Sequence, residues 1–207
     1  MCMEDIRTVG DYAVLNSIRI GHKEVLLCEN PKADTGERYL CCYAEQVLVY
    51  EKYTDGQVSD GYAEITKLFA ERVAEAASEI IAEIDKEESE VGNNAEIKKD
   101  ECEPFAYEDN LNGKVVVIRG DVFRPEFKRA TCQMMLCVGG FGSESNSRGR
   151  TCYCISLYDR HETSFYRQDI LGTINPAKLP DWAKDGLQKA IEQNEKNKKP
   201  KERSEGR

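Results

Sequence analysis

The sequence predicts an α+β protein made of two small units, each a mostly antiparallel β-sheet with one packed helix, joined by an acidic linker. Three observations carry this expectation. Short apolar runs bounded by turn residues recur along the chain, a pattern that favours strands over helices. Helical spacing of apolar residues is confined to one stretch after Ser59 and another after Leu179. From Asp85 to Asn110 lie ten acidic and three basic residues with little apolar content, which is the composition of a linker. The expected organisation is an N-terminal ββββα domain over 1–85, an acidic flexible linker over 86–113, a C-terminal β-rich domain with a terminal helix over 114–193, and a Lys-rich tail over 194–207.

The first element is a hairpin over 11–29. Tyr12, Val14, Ile18 and Ile20 alternate onto one face with Asn16 as the exception, Gly21-His22-Lys23 turns, and Glu24 to Cys28 returns. Residues 30–36 are dense in turn formers and read as a loop. Arg38 to Tyr43 and Gln46 to Tyr53 read as two more strands, closed by a turn at Asp55-Gly56. A helix follows, with Ser59 or Asp60 as its cap. Its stripe is Ile65, Leu68, Phe69, Val73, Ala76, Ile80 and Ile84, while Lys67, Glu71, Glu75, Glu79 and Glu83 lie off it. The stripe is expected to pack on the preceding strands.

The second unit opens with a strand at Lys114 to Ile118, and Arg124-Pro125-Glu126-Phe127 makes a turn. Strands over 133–138 and 151–158 flank a glycine-rich loop, and a fourth strand, Thr163 to Tyr166, runs on into 167–172. Leu179-Pro180-Asp181-Trp182 opens the last helix, whose stripe is Trp182, Leu187 and Ile191.

The formal charge of −9 hides an asymmetry: residues 1–113 hold 26 acids and 11 bases, residues 114–207 hold 12 acids and 18 bases. Such a split suggests two units that face different partners or each other. No apolar run approaches the roughly 20 residues that span a bilayer. The start, Met1-Cys2-Met3-Glu4-Asp5, lacks the basic and apolar parts of a signal peptide, so a cytoplasmic protein with no membrane partner is expected. Nine cysteines then read as free thiols, most of them core residues.

Candidate chemistry concentrates in the loop Gly139-Gly140-Phe141-Gly142 to Arg148-Gly149-Arg150. Glycines allow close backbone approach, and arginines supply charge for phosphates. Phe141, Arg148 and Arg150 are the leading binding residues, with Arg124, Arg129 and Arg167 behind them and Tyr153 as a further stacking surface. The plainer alternative is a connection whose glycines permit positive φ and whose arginines are solvated. The loop is not a Walker motif, since it lacks the Gly-Lys-Ser/Thr ending and no helix follows it. Cys132, Cys137, Cys152 and Cys154 bring a four-thiolate zinc site to mind, but their spacings are not C-x-x-C and buried thiols are the simpler expectation. With His22 and His161 the only histidines, no spacing proposes a nucleophile, base and orienting group. Asp121, Asp159, Glu162 and Asp169 are the carboxylates that a metal-dependent enzyme would gather. No cofactor and no catalytic residue is expected. The acidic helix and linker offer a different device, imitation of a phosphate backbone.

Four phrases carry a resemblance: Thr8-Val9-Gly10-Asp11-Tyr12, Gly139-Gly140-Phe141-Gly142 with Arg148-Gly149-Arg150, Tyr166-Arg167-Gln168-Asp169-Ile170-Leu171-Gly172, and Leu179-Pro180-Asp181-Trp182. Together they resemble small two-domain accessory proteins of integrative conjugative elements and prophages of Gram-positive gut bacteria. The likeness covers both units but not the linker or tail. It implies a mobile-element context, in which small proteins block host restriction or CRISPR nucleases, and it brings no catalytic residues. The expected function is that of a non-enzymatic inhibitor of a host defence nuclease, of anti-CRISPR or anti-restriction type. It would bind the nuclease, its nucleoprotein complex or its nucleic-acid path. The alternatives are a nucleic-acid-binding accessory protein, contacting DNA or RNA through the basic C-terminal half, and a metal-dependent nuclease.

Overall fold

A computed structural model describes residues 7–47, 50–146 and 148–198. Its contacts divide the chain into two units, Met1–Lys86 and Glu87–Arg207. Both are α+β.

The first unit is a five-stranded antiparallel meander in chain order: β1 (Thr8–Val9), β2 (Tyr12–Ile20), β3 (Lys23–Glu29), β4 (Tyr39–Val47) and β5 (Tyr50–Ser59). The sequence suggested four strands. The fifth, β1, is two residues long, too short to show an alternation, and pairs with Tyr12 and Ala13. Asp55 is not a turn but sits at φ 53° within β5, where the register against β4 shifts between Cys41 and Tyr43. One left-handed residue placed in a ladder makes a bulge and lets the strand continue.

The long helix α1 (Tyr62–Val91) begins after Gly61, whose carbonyl accepts the first helical bond from Ile65 N. Ser59 accepts from Gly61 N, and Asp60 instead receives Gly36 N and Arg38 N, so it ties down the 30–37 loop. Ile65 and Phe69 pack on Val25, Leu27, Cys41 and Tyr43. The neighbouring Leu26, Cys28, Cys42 and Ala44 form a separate buried cluster. Adjacent Cys41 and Cys42 therefore point to opposite faces, as a two-residue period requires. Burial on both faces explains why β3 reads as a continuous apolar run. Arg72 interrupts the helix stripe yet is buried, donating to the carbonyls of Cys41 and Asp55 at 2.8 and 2.6 Å.

The second unit has five strands in the order β10-β6-β7-β8-β9: β6 (Val115–Ile118), β7 (Met134–Gly139), β8 (Thr151–Ser156), β9 (Glu162–Tyr166) and β10 (Ile170–Ile174). One face packs the terminal helix α3 (Asp181–Lys198) and the single turn α2 (Ala130–Gln133) over Val115, Val117, Leu136 and Ile155. Phe105, Leu111 and Phe123 cover the other face over Val116, Ile118, Met135, Cys152 and Cys154.

Phe105 and Leu111 come from the stretch expected to be a flexible linker. Residues 87–113 instead pack onto the second unit. Glu87, Asn94, Ile97 and Leu111 are buried, Glu103 and Thr173 exchange backbone bonds, and Ile97 N donates to the buried Gln133 side chain at 2.8 Å. The acids mostly face outward while a few spaced residues anchor the chain, so the composition of the whole window hides them.

Candidate functional site

Between β7 and β8 the chain makes an eleven-residue excursion over 140–150 that folds back on itself. Gly142 N donates to Thr151 O at 2.8 Å, which prolongs the hairpin. A Cβ at Gly140 would collide with Thr151 O, and one at Gly149 with the Phe141 side chain. Here the glycines are required by backbone packed against its own loop. The loop also rests on the preceding segment: Leu111 N donates to Ser143 O at 2.7 Å and Asn146 N to Tyr107 O at 3.2 Å.

Arg167 holds this arrangement together. Its guanidinium donates to Gly142 O, Ala106 O and Asp109 O at 2.8, 2.9 and 2.8 Å, with longer bonds to Glu144 O and Tyr107 O, and lies 5.2 Å over the Phe105 ring. A rigid fork of five N–H donors suits such convergent carbonyls. All of these acceptors are neutral carbonyls, so the hydrogen bonds position the guanidinium without cancelling its charge.

The result is an open groove of about 690 Å³ lined by Phe105, Tyr107, Arg148, Gly149, Arg150, Arg167, Gln168 and Ile170. Among the described residues, three arginines and no carboxylate line it. Arg148 and Arg150 are exposed, and no carboxylate among the described residues pairs with either.

The structure thus brings together Arg148, Arg150 and Arg167 from the candidate set. Phe141 is 78% exposed on the same loop but does not line the groove. Two candidates lie elsewhere. Arg129 is buried, with its guanidinium on the Glu87 carboxylate at 2.7 Å through both Nε and Nη2, so it is committed to an internal ion pair. Arg124 is half-buried over the Phe127 ring at 5.3 Å and lies 3.7 Å from Glu126. Phe105, Tyr107 and Gln168 were missed. The first two fell in the supposed linker, where two aromatics in an apolar-poor window were the only signal.

Among the described residues, no group of three or more His, Cys, Asp or Glu is placed to hold a metal ion. The four carboxylates that a metal-dependent enzyme would gather each have partners of their own. Asp121 pairs with Arg119 at 2.5 Å, Asp159 accepts from His161 N, Asp169 from Tyr166 N, and Glu162 from Gln193 and Asn197. Cys137, Cys152 and Cys154 lie in one apolar cluster and Cys132 lies outside it, on α2. Burial pushes the Cys102 thiol up to about 11. No described helix is long and apolar enough to cross a membrane.

No family model, no curated protein and no solved structure matches this chain. Fold and site together define an α+β protein with a cationic, aromatic-lined groove beside a glycine loop.

Proposed function

We propose that this chain is a non-enzymatic binding protein whose second unit takes a nucleic-acid strand along the arginine groove. One observation carries the reading: in a chain of net charge −9, this groove is lined by three guanidinium groups and no carboxylate. Phosphates delivered to Arg148 and Arg150 would release their counterions, making affinity fall steeply with salt. The test is a salt titration of binding to a labelled oligonucleotide. Replacing Arg148 and Arg150 by alanine should flatten the log K against log salt slope by about 0.7 for each lost phosphate contact on a single strand. An unchanged slope sinks the groove as a phosphate site.

Within a mobile element of the kind the sequence resembles, occupying a strand denies it to a host defence nuclease, which is the inhibitor role in its indirect form. A direct form draws support from α1. Glu71, Glu75 and Glu79 are exposed at four-residue intervals, a rise of about 6 Å each, and would face a basic nuclease groove by giving up Lys67, the Tyr43 hydroxyl and Lys23, their partners within the unit. Both forms suit a cytoplasmic protein with reduced cysteines. The forms separate in a nuclease-inhibition assay: Arg148→Ala with Arg150→Ala abolishes the indirect form, and Gln at positions 71, 75 and 79 abolishes the direct one.

A further inference from the structure

The four most exposed large apolar side chains described in the second unit are Phe141 at 78%, Tyr153 at 56%, Tyr166 at 54% and Tyr107 at 52%. All four are aromatic, and all border the loop that carries Arg148 and Arg150. Phe141 is in it, and Tyr107 lines the groove and accepts from Asn146 N. Tyr153 pairs with Gly139 at the loop's entry, and Tyr166 pairs with Thr151 at its exit. Large apolar groups are normally scattered over a surface, and a cluster at one place marks an interaction site.

The ladder fixes how two of these rings stand. Tyr153 pairs with Ser164 and Thr151 with Tyr166, so Tyr153 and Tyr166 are diagonal neighbours on one face of the β8–β9 pair. Two residues farther along β8, Ile155 is buried on this same face in the cluster under α3. The face is therefore covered at one end and bare at the loop end, where the tyrosines stand. Arg150 and Arg167 continue the ladder through Arg167 N to Arg150 O at 2.7 Å, and both line the groove. Phe105 and Ile170, which also line that groove, belong to the face opposite Ile155, so the groove and the tyrosine pair lie on opposite faces at the loop end of the sheet.

We infer that the ligand is single-stranded, its phosphates in the arginine groove and its unpaired bases stacked on Tyr107 and, where the strand rounds the loop end of the sheet, on the Tyr153–Tyr166 face. This rests on the groove reading above and adds the class of nucleic acid. Stacking is open to any base, because every base has a π-face, but only where that face is not already occupied by a neighbour in a duplex. A duplex would meet the arginines through its backbone alone and leave the rings idle.

The test is fluorescence anisotropy with the full chain and five probes. These are oligothymidylate, oligouridylate, a duplex of equal length, an abasic deoxyribose-phosphate strand of equal length, and vesicles of phosphatidylserine with phosphatidylcholine. Expected are tightest binding to the single strands, and weakening by about fivefold or more on them alone in Tyr153→Ala with Tyr166→Ala. Tyr153→Phe with Tyr166→Phe should restore that affinity, since the ring and not the hydroxyl stacks. The thymidylate and uridylate arms tell whether DNA or RNA is preferred. Equal binding of duplex and single strand, or tyrosine variants that bind like the parent while the arginine variants fail, overturns the inference and leaves the groove reading standing. Binding to vesicles alone, or to no probe, overturns both.

Discussion

The two sheets have the same number of strands and the same antiparallel pairing, and differ in what joins them. In the first unit, Gly10-Asp11 joins β1 to β2, Gly21-His22 joins β2 to β3, and the longer 30–38 connection to β4 is tied down by Asp60. Four of its cations are paired with its own carboxylates: Arg7 with Glu24 and Glu51, Arg19 with Glu24, Lys23 with Glu79 and Arg38 with Glu29. In the second unit, residues 119–133 and 140–150 make long connections, and the latter leaves Arg148 and Arg150 on a concave surface without a carboxylate. A tight turn spends its residues on closing the ladder. A long connection folded back on itself creates concavity, and charge placed there is available to a ligand.

The sharpest way to break this contrast is to show that an internal cation and a groove cation behave alike. Glu87→Gln strips Arg129 of its countercharge, with both side chains 6% exposed. A loss of about 3–5 kcal/mol is expected in urea unfolding followed by Trp182 fluorescence, because a buried charge is left uncompensated. A loss under about 1 kcal/mol would remove the distinction.

Acid probes the same point in the first unit. Hydrogen bonding from Arg7, against the opposing effect of burial and reinforced by Arg19, holds the Glu24 carboxyl at about 2. A depressed folded pKa gives stability that is full above the unfolded value near 4.3 and is lost as pH falls toward 2. About 3 kcal/mol should disappear over that window, and Arg7→Met should flatten the pH dependence of unfolding. For Glu87, burial pushes the carboxyl up but the hydrogen bonds of Arg129 and Thr131 prevail and leave it lowered, so acid acts with the same sign on the second unit.

Arg167→Ala is intermediate. It removes the shared donor of the Gly142, Ala106 and Asp109 carbonyls, with an expected cost of about 1–3 kcal/mol. Amide exchange should quicken over 140–150 and stay unchanged over 23–29. Smallest of all, Arg148→Ala and Arg150→Ala should each leave stability within about 0.5 kcal/mol of the parent, while lowering strand affinity. A larger loss in thermal unfolding would make them structural, like Arg129.

Much of the fold was legible in the chain. The Lys23–Glu29 and Val115–Ile118 strands announce themselves by apolar runs, α1 by its stripe, and α3 by Pro180 and Asp181. Legibility failed where the signal was a long-range partner. Nothing local distinguishes Arg129 from Arg148, both exposed-looking arginines in polar surroundings. One meets Glu87 some forty residues away and the other meets no carboxylate among the described residues. Residues 87–113 failed for a related reason: isolated anchors such as Ile97 and Leu111 carry no period.

By itself the sequence determined the α+β class and the order of most elements, and it pointed to the glycine loop that borders the candidate groove. These depend on periodicity and turn chemistry, which act over a few residues. Only the tertiary structure decided which arginines line the groove, which are consumed by the core, and that Tyr107 joins them. Pairing of charges across a fold is settled by burial and proximity in space, and neither is written in local spacing.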